Sequence, residues 1–172
     1  MCRYGISARS LNYKRAIACT VITIFSNETI ISDTLVLLFR SSGSWTQVKF
    51  YDKPNQSGTR MGRYCVMNRA GNRIWVNGDP YAYLWERGSS EWPSSTTQAW
   101  NDTVNRGLGM NEAGTILTSC DASWNNYYGR TRVRYINSSG TWASTDLNGS
   151  SQSQWGWESV LNKEGDILFQ GS

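Results

Sequence analysis

Short apolar runs broken by polar turns recur from one end of the chain to the other, and no segment holds a 3.6-residue apolar period. Arg130-Thr131-Arg132-Val133-Arg134-Tyr135-Ile136 alternates at period two, as does Tyr81-Ala82-Tyr83-Leu84-Trp85. The runs are rich in Val, Ile, Thr, Tyr and Trp, whose branched or flat side chains suit a pleated surface. The pattern predicts an all-β chain with little helix.

Two markers punctuate the runs in alternation. The first is an apolar residue followed by Asn and a polar turn: Leu11-Asn12-Tyr13-Lys14-Arg15, Met67-Asn68-Arg69-Ala70-Gly71, Met110-Asn111-Glu112-Ala113-Gly114 and Leu161-Asn162-Lys163-Glu164-Gly165. Its Asn residues are spaced 56, 43 and 51 apart. The second is Gly43-Ser44-Trp45, Gly88-Ser89-Ser90-Glu91-Trp92 and Gly140-Thr141-Trp142, with Trp spacings of 47 and 50. Asn and Gly both tolerate positive φ, so the first marker predicts tight turns at residues 12–15, 68–71, 111–114 and 162–165. The second predicts another hairpin turn, followed by a Trp at an equivalent place in each sheet.

One unit then reads strand, Asn turn, strand, loop, strand, Gly-Trp turn, strand. Four strands in about 45 residues is the repeat length of a β-propeller blade. The chain is expected to be a single β-repeat domain over residues 1–172, with units at about 4–52, 62–105 and 106–147 and a partial unit at 155–172. That makes a propeller-type array of about three and a half four-stranded antiparallel units. The partial unit would leave Asp166-Ile167-Leu168-Phe169-Gln170 as an apolar edge, which proteins normally pair or cover. Another chain is expected there, in a homo-oligomer or a larger assembly.

The markers resemble FG-GAP-type repeats, the β-propeller units of integrin α-chain heads and of many bacterial, algal and viral surface proteins. The resemblance is best from Gly140-Thr141-Trp142 to Gly165, with Trp155-Gly156 standing where the family has Phe-Gly. Tyr4-Gly5, Leu108-Gly109 and, more weakly, Met61-Gly62 would be its equivalents. The family's calcium-binding units carry an Asp-rich loop. Here the corresponding segment is Asn111-Glu112-Ala113-Gly114 or its relatives, too poor in acidic oxygens for an ion that takes six to eight ligands. No metal and no cofactor are expected.

Composition narrows the chemistry. The 172 residues include no His, which removes His-based triads and imidazole metal sites. The formal charge is +4, split between a net +6 over residues 1–86 and −2 over residues 87–172. Such polarity suits head-to-tail packing or an anionic surface as well as ordinary solvation. Cys2, Cys19, Cys65 and Cys120 form no CxxC pair and are read as buried thiols, with a disulfide as the alternative. The basic residues before Ala16–Phe25 resemble a secretory leader, but this stretch fits the repeat and is read as a strand. No run of 18 apolar residues predicts a membrane span.

No nucleophile elbow, phosphate loop or dinucleotide fingerprint is present, and the chain is read as non-enzymatic. The candidate binding residues are Trp124, Asn125, Asn126, Tyr127 and Tyr128, a cluster of aromatic and amide groups in a loop between second and third strands. Trp100-Asn101-Asp102 and Gln152-Ser153-Gln154-Trp155 are weaker versions, better explained as packing between blades. Arg130, Arg132 and Arg134 share one strand face. They could meet phosphates, but the preferred reading over nucleic acid is the solvated face of an outer strand or a partner for acids on a neighbouring one. The expected function is structural or binding, in an assembly at an extracellular or virion surface. The alternative is a lectin-like module that binds glycans through the aromatic loops. The 22 Ser, 14 Thr, 14 Asn and 16 Gly, with Asn-x-Ser/Thr sites at Asn27, Asn55, Asn101, Asn137 and Asn148, are compatible with an exterior setting.

Overall fold

The computed structural model describes the backbone at residues 5–6, 16–26, 29–41, 44–52, 61–78, 81–88, 92–93, 96–101, 106–150 and 155–171. Side chains are described at 64–77, 81–88, 92–93, 96–101, 106–150 and 155–171. Among the described residues, four antiparallel sheets follow one another in sequence. The first contains β1 (Gly5–Ile6), β2 (Ala16–Ser26), β3 (Thr29–Ser41) and β4 (Ser44–Asp52). The second contains β5 (Met61–Met67), β6 (Arg73–Gly78), β7 (Tyr81–Glu86) and β8 (Gln98–Asn101). The third contains β9 (Leu108–Met110), β10 (Ile116–Asp121), β11 (Arg130–Ile136) and β12 (Trp142–Asn148). The fourth is a two-stranded hairpin of β13 (Glu158–Leu161) and β14 (Leu168–Gly171). The chain is thus all-β, a propeller-type array of four-stranded antiparallel meanders. Among the described residues, one short segment of helical turn, α1 (Trp124–Tyr127), interrupts it.

Successive sheets stack face to face, with β9 lying between β5 and β13. The alternation of each strand gives one face to the preceding sheet and one to the following sheet. On the second sheet Trp75, Ala82 and Leu84 point toward the third sheet and meet Leu108 and Leu117, all five buried. Trp75 and Trp100 meet edge to face with centroids 5.4 Å apart, and Trp100 meets Trp142 in the same way at 5.8 Å. Cys65, Ile74, Val76, Tyr83 and Trp85 fill the opposite face and are also buried. A strand buried on both faces reads as a continuous apolar run, which is why Tyr81–Trp85 shows little polarity.

The Asn marker has a clear physical role. Segments 68–71, 111–114 and 162–165 are turns joining antiparallel strands, whereas 12–15 lies outside the described residues. Asn68 Oδ1 accepts from the amides of Asn72 (3.0 Å) and Arg73 (2.9 Å). Asn111 Oδ1 accepts from Thr115 (2.9 Å) and Ile116 (3.0 Å), and Asn162 Oδ1 from Gly165 (2.9 Å) and Ile167 (3.0 Å). Each Asn therefore closes its own turn. The first two also reach forward: Asn68 Nδ2 donates to Ala113 O at 3.4 Å and Asn111 Nδ2 to Glu164 O at 3.0 Å. Backbone bonds run alongside, from Arg69 N to Glu112 O and from Glu112 N to Lys163 O. The turns are threaded onto one another.

The turn Gly is required by that threading. Gly114 has φ +73, and a Cβ there would lie 2.7 Å from Arg73 Cδ and 3.2 Å from Asn68 Cβ. Gly165, at φ +89, would meet Ile116 Cδ1 and Asn111 Cβ in the same way. Each glycine lets its turn close up on the Asn of the preceding unit.

Two other sequence markers are less regular. Trp142 opens β12 and Trp45 lies one residue into β4, but Trp92 is buried in the segment ahead of β8, outside any strand. The longer loop after β7 displaces it. Counted from the turn Asn, Trp155-Gly156 and Met61-Gly62 stand at the same offset, whereas Leu108-Gly109 lies inside β9, closer to Asn111. Leu108 is instead the partner in position of Cys65 and Ser159.

Candidate functional site

The Trp124–Tyr128 cluster forms the connection between β10 and β11, at the opposite end of the third sheet from the Asn turn. Its root is fixed. Asp121 pairs across the strands with Arg130, and Asp121 Oδ1 accepts from Ser123 N (3.1 Å) and Ser123 Oγ (2.8 Å). Gly149 N donates to Gly129 O at 3.0 Å, and Gly129 bridges to Trp155, so the chain leading to β13 braces the loop from behind. The tip bends sharply. Asn125, Asn126 and Tyr127 have φ of +48, +56 and +68, a left-handed turn inside the α1 segment. Asn visits this region at low cost, whereas Tyr127 does so against a steric penalty. The result presents Asn125, Asn126 and Tyr127 to solvent, with Tyr127 58% exposed. Trp124 is half-buried, with the Arg130 guanidinium 5.6 Å from its ring centre.

The arginine row lies on one face of β11, and that face is turned toward the second sheet. Arg132 makes a two-pronged pair with Asp146 of β12, Nε to Oδ1 at 2.6 Å and Nη2 to Oδ2 at 2.7 Å. Arg130 lies 3.5 Å from the same carboxylate. Arg134 is only 3% exposed, donates to Ser119 Oγ at 3.1 Å and sits over the rings of Trp100 (4.9 Å) and Trp75 (5.7 Å). These guanidiniums are held by acids, a hydroxyl and indole faces within the fold. Hydrogen bonding from Arg132 holds the Asp146 carboxyl below its ordinary range, with the charges of Arg132, Arg130 and Arg134 adding to the effect against partial burial.

Beside this network a cleft of about 160 Å³ opens between the outer strands of the second and third sheets. Trp100 and Asn101 of β8 form one wall, and Arg132, Arg134, Trp142 and Ser144 form the other. Sequence reasoning saw the Trp residues and the arginine row separately. Their convergence needed the sheet stacking, which places β8 against β11 and β12.

Cys65 and Cys120 are buried thiols, and burial pushes the Cys120 thiol upward in pKa. Cys2 and Cys19 lie outside the described side chains, as do Asp102 and residues 151–154. Among the described residues no cluster of three or more acids and cysteines is placed to hold a metal, and no helix is long and apolar enough to cross a membrane.

No protein-family model and no curated protein sequence matches the chain. Solved structures do. A Bacteroides uniformis protein named as a candidate 6-phosphogluconolactonase superposes with a TM-score of 0.55 at 9% identity, covering 85% of this chain and 55% of its own. The C-terminal WD40 domain of Sif2 superposes with a TM-score of 0.52 at 13% identity, covering 99% of this chain and 47% of its own. The chain therefore spans about half the length of these structures. WD40 repeats are propeller blades, so the likeness agrees with the sheet-by-sheet architecture: the chain has a β-propeller-type repeat fold.

Proposed function

We propose that the chain is a non-enzymatic interaction module that recognises another protein through the Trp124–Tyr128 loop. The observation that carries this is the loop itself, a left-handed tip of exposed aromatic and amide groups on a root fixed by Asp121, Gly149 and Trp155. Aromatic side chains supply contact area at small entropic cost, and loops on a rigid scaffold are where such folds place recognition. A non-catalytic role is supported by the acids near this site. Asp121 and Asp146 are engaged with Ser123, Arg130 and Arg132. Kinship to FG-GAP-type repeats is supported by the equal offset of Trp155-Gly156 and Met61-Gly62 from their turn Asn residues. The Asn-, Ser-, Thr- and Gly-rich composition supports an extracellular or virion-surface setting.

The lectin-like alternative, expected from the sequence at the aromatic loops, finds better support at a different place, the cleft between Trp100 and Trp142 with Asn101 and Ser144 on its rim. Indole faces beside amide and hydroxyl groups suit a sugar ring. One experiment separates the two readings: binding of the purified chain to a protein array and to a glycan array, run with Trp124→Ala/Tyr127→Ala/Tyr128→Ala and with Trp142→Ala. Protein spots lost only in the triple variant support the loop. Glycan spots lost only in Trp142→Ala support the cleft. Protein spots unchanged in the triple variant overturn the loop assignment.

A further inference from the structure

Three of the Asn-x-Ser/Thr sites have described Asn side chains, at Asn101, Asn137 and Asn148, and their settings differ. Asn101 ends β8 and lines the cleft beside Trp100. Asn148 ends β12 and pairs with Arg130, at the end of the third sheet that carries the Trp124–Tyr128 loop. Asn137 lies in the hairpin turn between β11 and β12, at the opposite end.

The turn at Asn137 repeats the chemistry of the Asn marker without its forward reach. Asn137 Oδ1 accepts from Ser139 N (3.1 Å), Ser139 Oγ (2.7 Å), Thr141 N (3.0 Å) and Thr141 Oγ1 (3.0 Å). Asn137 N donates to Thr141 O and Gly140 N to Asn137 O, both at 2.9 Å. The carboxamide is thereby anchored through its oxygen. Its nitrogen stands apart from those of the other turn Asn residues. Asn68 Nδ2 and Asn111 Nδ2 bond to the next turn, and Asn162 Nδ2 to Glu164 and Asp166. Asn137 Nδ2 has no hydrogen-bond partner among the described residues and is open to solvent. Ser138, Ser139 and Gly140 beside it are exposed, and a Cβ at Gly140 would meet nothing within 4 Å.

We propose that Asn137 is the acceptor of an N-linked glycan, a modification that rests on the exterior setting proposed above. Its Nδ2 attacks the anomeric carbon of an oligosaccharide carried on a polyprenyl diphosphate, inside a transferase supplied by the host. The N–C bond forms as the bond from that carbon to the diphosphate oxygen breaks. The diphosphate leaves with the electron pair, and the Nδ2 proton passes to a base of the transferase. Nothing is oxidised or reduced. The Ser139 hydroxyl donates to Oδ1 and stabilises the negative charge that gathers there as Nδ2 gives up its proton. An acceptor has to protrude, because a glycan is bulky and belongs on the surface. The hairpin turn meets that need, whereas Asn101 and Asn148 are held in strand ladders. The place also suits the recognition reading. β11 spans seven residues, so a glycan on Asn137 stands roughly 20 Å from the Trp124–Tyr128 loop and leaves it uncovered.

The test is expression of the 172-residue chain in animal cells behind a cleavable secretory leader, with secreted and lumenal chain both analysed by peptide mass spectrometry. Release by a peptide N-glycosidase in heavy-oxygen water should leave the label at position 137. Asn137→Gln and Ser139→Ala should each lose that glycan, and Ser139→Thr, which keeps the hydroxyl, should retain it. Asn101→Gln and Asn148→Gln should leave it unchanged. A bare Asn137 in the folded chain, or a glycan on Asn101 or Asn148 in its place, overturns the proposal. So does a glycan at Asn137 that persists in Ser139→Ala. The leader imposes the compartment, so such a failure leaves the exterior setting standing. That setting falls separately if the native chain is found only in the cytosol of its host.

Discussion

Trp75 and Phe169 stand at the same place in their sheets, and their surroundings differ completely. Trp75 is enclosed by Leu84, Leu108, Leu117 and Trp100, and its indole N–H donates to Thr118 O at 3.0 Å. Phe169 faces outward. The turn Asn residues repeat the contrast. Asn68 and Asn111 give their side-chain N–H groups to carbonyls of the next turn, whereas Asn162 gives its own to Glu164 and Asp166 within the same turn. A repeat of this kind gains most of its stability between units rather than within them. The same residue type at the same repeat position therefore carries different energies according to whether another described sheet is stacked on it.

The largest expected effect sharpens that contrast. Trp75→Ala should destabilise the chain by about 3–5 kcal/mol, the usual cost of emptying a large buried site. Phe169→Ala, measured by denaturant unfolding, should cost about 0–0.5 kcal/mol, as for an exposed position. Equal losses at the two positions would break the comparison. Trp142 is only half-buried at the edge of the core, so Trp142→Ala should fall well below Trp75→Ala on the same measurement.

The turns give the next step down. Asn111→Ala removes two amide-accepting bonds and the forward bond to Glu164 O, and leaves two half-buried amides without their acceptor. A loss of about 2–3 kcal/mol follows. Asn162→Ala, in the turn whose Asn makes no forward bond to another unit among the described residues, should cost about 1 kcal/mol. Chemical denaturation of both variants checks the order, and the reverse order would contradict the threading of the turns.

The smallest effect concerns acid. The folded-state pKa of Asp146 lies below its unfolded value near 3.8. Its contribution to stability is therefore complete above that value and is lost as pH falls through the folded pKa. Between about pH 5 and 8, with no His in the chain, stability should be nearly flat. Asp146→Asn should lower stability at neutral pH and flatten the fall below about pH 4. A wild-type curve as flat as the variant's in that acid range would show that the Arg132–Asp146 pair contributes nothing.

The fold was legible because the repeat is written in backbone chemistry. Asn68, Asn111 and Asn162 are there to cap turns, and Gly114 and Gly165 to let turns touch, so spacing alone revealed the units. The alternation of Arg130, Arg132 and Arg134 correctly placed them on one face. What lies opposite them was not legible, because Trp100 of the second sheet meets Arg134 through sheet stacking across 34 residues of sequence. Trp92 misled for a related reason: a Gly and a Trp in the right order do not fix a strand position when the loop between them varies in length. The Trp124–Tyr128 loop was visible as a polar aromatic cluster, but its left-handed tip was not, since Tyr at positive φ has no compositional signature.

Thiol labelling of Thr118→Cys and Phe169→Cys, read peptide by peptide against time, tests the contrast between these two positions most directly. The thiol introduced at position 118 should react only as the chain unfolds. The thiol introduced at position 169 should react freely in the folded chain. Labelling of both at the same rapid rate in dilute solution would contradict this, because the third sheet would then not be stacked on the β13–β14 hairpin.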